Sequence, residues 1–471
     1  MAPYRRRFIG SCIAAGIGVL AGCSTSSEDD SESPTDGQPT ETTTPVQSPT
    51  ETLSTTTPTP STPTEEDSGS SEQPRLYAED VEGTTLLGGS VAVSDDGDTA
   101  LAGASWDTTN GRMAGAAYVF ERSGGSWSQQ AQLLADETSE RDNFGGAVAM
   151  SDDGSVALIG ADNDDDPHGA GGGSAYVFER ADGSWSQQAQ LAADDGTGGV
   201  TGTSGGNDYF GESVALSGDG SIALVAAADE NENGTGAGAV YVFERGDGSW
   251  SQQTKLLADD GSRIDQFGSS VGLSRDGSLA LIGASHDGDW AGSAYVFERS
   301  GGSWSQQTKL TPDDGDSDDR FGNSVAISDD GNLAIIGALF DRSTASDAGS
   351  AYVFEQSGGS WSQEAKLTAD DGDSEDHFGS SVDISGDGST VLTGAYGDED
   401  PNGEEAGSAY VFERSSGSWN QQAKLVAGDG ESEDEFGGSV AVSSDGSTGL
   451  VGAKWDNEPV RHAGSAYVFD I

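Results

Sequence analysis

The sequence predicts an all-β protein: a closed seven-bladed β-propeller of four-stranded antiparallel blades. Three observations predict it. The segment Tyr-Val-Phe returns seven times, at Tyr118, Tyr176, Tyr241, Tyr295, Tyr352, Tyr410 and Tyr467, at intervals of 54 to 65 residues. Every copy holds strand-like stretches separated by Gly-rich turns, and a period of this length marks a repeat architecture. Finally, an isolated copy of the unit's last strand precedes the first full unit, and the last unit lacks that strand.

Composition narrows the possible partners. The 471 residues include 81 Asp or Glu against 21 Lys or Arg, for a formal charge of −60. Nucleic acid is excluded as a partner, because its binding rests on neutralising phosphates with cations. The acidity fits adaptation to molar salt, where the Debye length is only about 3 Å and surface carboxylates cease to repel over distance. The alternative is a calcium-loaded surface protein. With 33% hydrophobic residues and 71 Gly, the chain is too apolar to be disordered throughout, and the Gly load suits many turns.

In chain order, residues 1–23 form an export address. Arg5-Arg6-Arg7-Phe8-Ile9 resembles the twin-arginine signal, and the apolar run from Phe8 to Gly22 is short for a membrane span. Leu20-Ala21-Gly22-Cys23 resembles a lipobox, whose cleavage leaves Cys23 as a lipidated N-terminus, an anchor and not a span. Cys12 falls in the removed segment, so no disulfide is expected. Residues 24–73 are Ser, Thr, Pro, Glu and Asp with almost nothing apolar, the composition of a disordered and glycosylatable stalk. The propeller is expected over 74–471.

Within one copy, Ser324 to Ser328 alternates small polar and apolar residues, and Asp329-Asp330-Gly331 supplies a tight turn. Leu333 to Ala338 is continuously apolar, as in a strand covered on both faces. Gly349 to Phe354 is β-branched and aromatic. Beyond the turn at Ser357-Gly358-Gly359, Trp361 to Leu367 is more polar, as suits a sheet edge. Pro74 to Ala78 resembles this outer strand, and none follows Tyr467-Val468-Phe469. The N-terminal strand should therefore complete the seventh blade.

Phe-Gly recurs at Phe144, Phe210, Phe267, Phe321, Phe378 and Phe436, and Gly-Ala at Gly103, Gly160, Gly283, Gly337, Gly394 and Gly452. Leu87-Gly88 and Ala226-Ala227 depart from the pattern. These motifs resemble FG-GAP repeats, the repeat of the integrin α-chain head, over most of the chain. The resemblance implies adhesion and ligand binding, often with Ca2+ in the turn joining the first two strands. That turn is here only Ser-Asp-Asp-Gly, as at Ser151 to Gly154, too short for a cage of six or more oxygens. The family's calcium sites are therefore not carried over.

Four strands per blade put the loop between strands two and three, and the link to the next blade, on one face. Both are variable in sequence, so binding is expected there. Two carboxylates recur on this face. One precedes Phe-Gly by two residues (Asp142, Asp208, Asp265, Asp319, Asp376, Asp434); the other follows Gly-Ala by three (Asp107, Asp164, Glu230, Asp287, Asp341, Asp398, Asp456). Sevenfold recurrence favours a role in pinning loops. Asp314, Asp316 and Asp318, with Asp371 and Asp373, are the best local candidates for a cation such as Ca2+. Non-repeating residues make better ligand sites: Trp106 beside Asp107, Trp455 beside Asp456 and Phe340 beside Asp341 pair an aromatic face with a carboxylate, a combination that holds sugars or cations. The Trp of each Gly-Ser-Trp turn is expected to pack. Asn233-Gly234-Thr235 is a glycosylation sequon.

Catalysis has little sequence support. His168, His286, His377 and His462 lie in different blades, and no HExxH, CxxC or GxSxG pattern occurs. The expected protein is a monomeric, lipid-anchored, non-enzymatic module on the outer face of the cytoplasmic membrane, binding an envelope glycoprotein or polysaccharide. The alternatives are a polysaccharide-active enzyme and an envelope scaffold.

Overall fold

The computed structural model describes residues 73–471, apart from 80–82, 138, 166–168, 170, 197–206 and 400. The export signal with Cys23, the stalk to residue 72, His168 and most of the link from 193 to 209 lie outside the described residues.

Among the described residues lie seven four-stranded antiparallel sheets. In the fifth, Phe321–Ile327, Leu333–Ala338, Ser350–Ser357 and Ser360–Leu367 follow one another from the innermost strand outward. The second strand is buried throughout, and the outer strand alternates exposed and half-buried residues. The strand types therefore follow the expected grading from covered centre to wet edge. The innermost strand of each blade lies against that of the next all the way round, and the seventh lies against the first. No helix among the described residues is long and apolar enough to cross a membrane.

The core sits between successive blades. Phe321 is fully buried, packed edge-on against Tyr352 and Phe354 of its own blade at 5.5 and 5.9 Å. The same cluster takes in Leu281, Ala294 and Val296 of the blade before. This explains why Phe-Gly and Tyr-Val-Phe recur together. The glycines have a different reason: a Cβ on Gly337 would stand 2.0 Å from the carbonyl oxygen of Gly379 in the next blade. Gly349, at φ +82, would bring a Cβ equally close to the oxygen of Phe378. Only a residue without a side chain permits so close an approach of two backbones.

Polar contacts join the blades at both margins. The N–H of Val325 donates to Ser270 Oγ at 3.0 Å, that of Val382 to Ser324 and that of Val440 to Ser381, each from one blade to the one before. Nearer the periphery, the Arg that follows Tyr-Val-Phe-Glu pairs with the Glu of the preceding blade, as in Arg245–Glu179 and Arg414–Glu355. Arg122 of blade one pairs with Asp470 of blade seven at 3.4 Å.

The N-terminal strand closes the ring as expected, and in more detail than its sequence suggested. Arg75 lies opposite Tyr467 and Leu76 opposite Ala466. Gln73 Oε1 accepts the N–H of Gly428 at 3.1 Å, as Gln421 accepts that of Asp370 in blade six. Arg75 takes the place that Lys holds in the outer strands of blades three to six. A short N-terminal stretch thus reproduces the Gln and cation contacts of an outer strand.

Candidate ligand-binding face

The recurring carboxylates are consumed by the fold. Asp319 accepts the N–H of Asp316 at 2.7 Å, and Asp376 and Asp434 do the same for Asp373 and Glu431. The second set lies beneath the loops: Asp107, Asp341 and Asp456 are only 3%, 2% and 4% exposed. Tyr118, Tyr352 and Tyr467, the tyrosines of Tyr-Val-Phe, donate to them at 2.6, 2.6 and 2.9 Å. Each also accepts an N–H two residues on, from Thr109, Ser343 or Glu458. These three carboxylates pin their loops, and only the aromatic residue of each expected pair has no such part in the fold.

The candidate cation ligands separate in space. Asp314 binds Lys366 Nζ at 2.7 Å and accepts from Tyr352, while Asp371 binds Lys424 at 2.8 Å and accepts from Tyr410. The backbone N–H groups of Asp316 and Asp373 go to other carboxylates, and Asp318 faces Arg342 at 3.9 Å. Among the described residues no three His, Cys, Asp or Glu side chains are grouped to hold a metal ion. The donors present do not fit Ca2+, because an ammonium already bridges the carboxylates. Lys366 joins Asp314 to Asp341, Lys424 joins Asp371 to Asp398, Lys309 joins Asp260 to Asp287, and Arg75 joins Asp429 to Asp456. The cation is part of the chain.

Blades one and two carry Gln132 and Gln190 where later blades have Lys. Gln190 Nε2 donates to Asp164 at 3.3 Å and to Tyr176 at 3.2 Å. Replacing Gln190 by Lys should raise the unfolding free energy by about 0.5–1 kcal/mol, the scale of a partly exposed ion pair. Chemical denaturation at fixed salt checks this, and a fall would show that the two-sided amide is the better partner.

Asn233 is exposed, yet its Nδ2 donates to Ala258 O at 3.0 Å. Asn110 and Asn402 bond Ala135 and Ala427 in the same way. The sequon asparagine thus belongs to a recurring Asn-Gly turn, and a glycan on it would sacrifice that bond.

What remains for a ligand is the rim of the channel. The residue immediately before each Phe-Gly, or before Leu87-Gly88, is held in the left-handed region: Leu86, Asn143, Tyr209, Gln266, Arg320, His377 and Glu435 have φ between 53 and 66°. For an L-residue other than Gly this costs roughly 1–2 kcal/mol. Seven different side chains occupy it. Beside them stand the equally varied residues after Gly-Ala, and closure brings Trp106 and Trp455 edge to face at 5.9 Å. His462 meets Trp455 at 5.0 Å. From blade four to blade six runs a second aromatic arc: Arg320 lies over Trp290 and Phe340 at 5.1 and 4.9 Å, and His377 stacks on Tyr396 at 4.9 Å. Burial lowers His286 and His377 to about 4, so both rings are neutral. Glu212 is solvent-exposed yet surrounded by protein, and that surrounding, followed by the nearby carboxyls of Asp162 and Asp229, pushes it up to about 8.

The opposite face is built differently. In each Ser-x-Asp-Gly turn the Ser hydroxyl donates to the Asp carboxylate, as Ser328 does to Asp330 at 2.9 Å. The residue between them forms an inter-blade ladder: the N–H groups of Asp95, Asp152, Gly218, Arg275 and Asp329 donate in turn to the next blade's carbonyl, ending at Gly386. Arg275 reaches Asp95, Asp152 and Asp329 at 2.6, 2.7 and 2.8 Å. The signal was present as Ser-Arg-Asp-Gly, the one copy with a cation, but its three partners lie in other blades. The Gly-Ser-Trp tryptophans pack as expected, Trp361 against Phe321's cluster and Trp419 against Phe378's.

A closed propeller whose repeated residues build the frame and whose unlike residues crowd one rim is, as a class, a scaffold for binding. The chain belongs to the FG-GAP repeat family, whose model matches residues 70–120, 127–178, 185–243, 250–297, 304–354, 361–412 and 419–469. After the first, each matched unit begins in the outer strand of one blade and ends in the third strand of the next. No curated protein sequence matches significantly. Among solved structures, the RRP9 WD40 repeats align over 85% of this chain and 98% of their own, at 11% identity and a TM-score of 0.53. The Cps50 (Swd1) β-propeller domain of Myceliophteria thermophila aligns over 83% and 98%, at 9% identity and a TM-score of 0.52. A chain of a mitotic checkpoint complex aligns over 90% and 99%, at 13% and 0.51. At such identities the likeness is one of fold alone.

Proposed function

We propose that this propeller is a surface-displayed binding module whose variable rim engages an envelope glycoprotein or polysaccharide. One observation carries the proposal: the recurring carboxylates are committed to internal Tyr, Lys and backbone partners, whereas the rim residues differ in every blade. The Cys23 lipobox and the stalk support anchorage outside the cytoplasmic membrane, and the charge of −60 supports a saline setting. A screen of envelope glycans and glycoproteins in molar salt tests the reading. Binding weakened about tenfold or more by Trp455→Ala, with an unchanged melting curve, is the expected result. Hydrolysis of a glycan without stable binding would overturn it.

A polysaccharide-active enzyme is the second reading, favoured by Glu212. The carboxyls of Asp162 and Asp229 lie near enough to raise its proton affinity, and grouped carboxyls of this kind can supply a general acid. Glu212→Gln should abolish turnover under that reading and leave binding intact under the first.

A further inference from the structure

The arc on blades four to six is more specific than a generic rim. Trp290 is 41% exposed at φ +68, and Ile264, 41% exposed at φ +70, is the other large apolar side chain left open in blade four. Left-handed backbone is unusual for an aromatic and rarer still for a β-branched residue. At the position of Ile264 four other blades carry Arg141, Asp318, Glu375 and Glu433, also left-handed. The geometry of the turn therefore recurs, and only here does it hold an apolar group out to water. Strain retained where a polar residue would serve the fold equally well points to a contact made by that side chain.

The permanent charge in the arc, the Arg320 guanidinium, is held against aromatic rings. Arg320 is sandwiched between Trp290 and Phe340, His377 is neutral and stacked on Tyr396, and His377 Nδ1 faces the Glu375 carbonyl at 2.6 Å. In molar salt the −60 of the surrounding chain is screened beyond about 3 Å, so a charged polymer is distinguished by the test and not by the net charge. A cationic peptide would meet Arg320 at the centre of the arc. We infer that this arc is a stacking subsite for an uncharged pyranose glycan, whose C–H faces lie on Trp290 and Phe340 while its hydroxyls bond the polar edges. Pyranose rings combine the two features the arc offers, apolar faces and a neutral hydrogen-bonding rim.

This inference rests on the binding reading above and names its ligand class. The test uses the full chain in molar salt, titrated with hexasaccharides of glucose, mannose and xylose, with polygalacturonate and oligolysine as charged controls. At least one neutral hexasaccharide should bind, and Trp290→Ala and Phe340→Ala should each weaken it tenfold or more. Trp290 is exposed enough for its removal to leave the melting curve in place, and Trp106→Ala serves as a variant on the far side of the rim. Neutral binding that survives both arc substitutions but falls with Trp106→Ala overturns the subsite and leaves the binding module standing. Binding of the charged controls alone overturns the ligand class. Failure of every probe, and of envelope glycoproteins as well, overturns both readings.

Discussion

Arg75→Ala should open the ring. The guanidinium, with only 15% of its side chain exposed, bridges Asp456, Asp429 and Glu458 at 2.8, 3.0 and 3.0 Å and donates to Ser465 Oγ. Its removal leaves Asp456, 4% exposed, without a cation beside the phenol of Tyr467. Stranding one member of a buried pair costs about 3–5 kcal/mol. The loss should be larger than for the corresponding Lys366→Ala, because Arg75 also anchors a strand of only two paired residues. Losing that strand exposes the unpaired edge of Ser465–Asp470, an invitation to strand addition by another molecule. Thermal melts and light scattering at fixed salt would show a lowered midpoint with aggregation. A variant that melts like the parent and stays monomeric means the ring is held by its core alone.

Stability should rise when the protein is acidified from neutral pH, the reverse of ordinary acid denaturation. Burial pushes Asp152, Asp376 and Asp434 up to about 6 and Asp383 to about 7, with Glu212 at about 8. In the unfolded chain such groups titrate near about 4. Between these values the native state holds more protons than the unfolded one, so stability falls as pH rises. His286 and His377, lowered to about 4 by burial, act in the opposite direction, costing stability as pH falls below about 6.5. The raised carboxyls, which also include Asp162, Asp265 and Asp319, outnumber the three lowered imidazoles of His286, His377 and His462 and leave acidification stabilising. The gain is several kcal/mol at most, because a tenfold change in proton affinity is worth about 1.4 kcal/mol and water screens the half-open carboxyls. Below about pH 4 the balance reverses. Burial would raise Asp341, but bonds from Lys366, Ser343 and Tyr352 hold it at about 2, and its contribution disappears as pH falls toward that value. Denaturation midpoints between pH 3 and 8 should therefore peak near about pH 4–5. Asp434→Asn should raise the midpoint at pH 7 and leave it nearly unchanged at pH 4. A midpoint flat or falling from pH 7 to 5 would sink the account.

The legible and illegible parts of this molecule divide along one line. Strand order, blade number and the closing strand were all legible, because each rests on local pattern. Leu333–Ala338 is apolar at every position, Ser360–Leu367 is mostly polar, and Arg75–Leu76 copies the Lys-Leu ending of an outer strand. The recurrence of Asp341 and its equivalents also indicated a loop pin, and the structure supplies its partners in Tyr352 and Lys366. The pairing of Asp314 was not legible: its neighbours in sequence are Asp316 and Asp318, but its partner Lys366 lies 52 residues further on. A run of acids looks like a cation site until the fold delivers an ammonium to it.

By itself, the sequence determined a closed seven-bladed ring with one uniform and one variable face, since hydrophobic period and turn chemistry act over a few residues. Only the tertiary structure decided which carboxylates were already neutralised, that Arg275 gathers three of them, and that left-handed backbone lifts Ile264 and Trp290 into solvent. The physical reason is the repetition itself. Seven near-identical units offer every acid several chemically equivalent partners, and only distance across the ring selects among them.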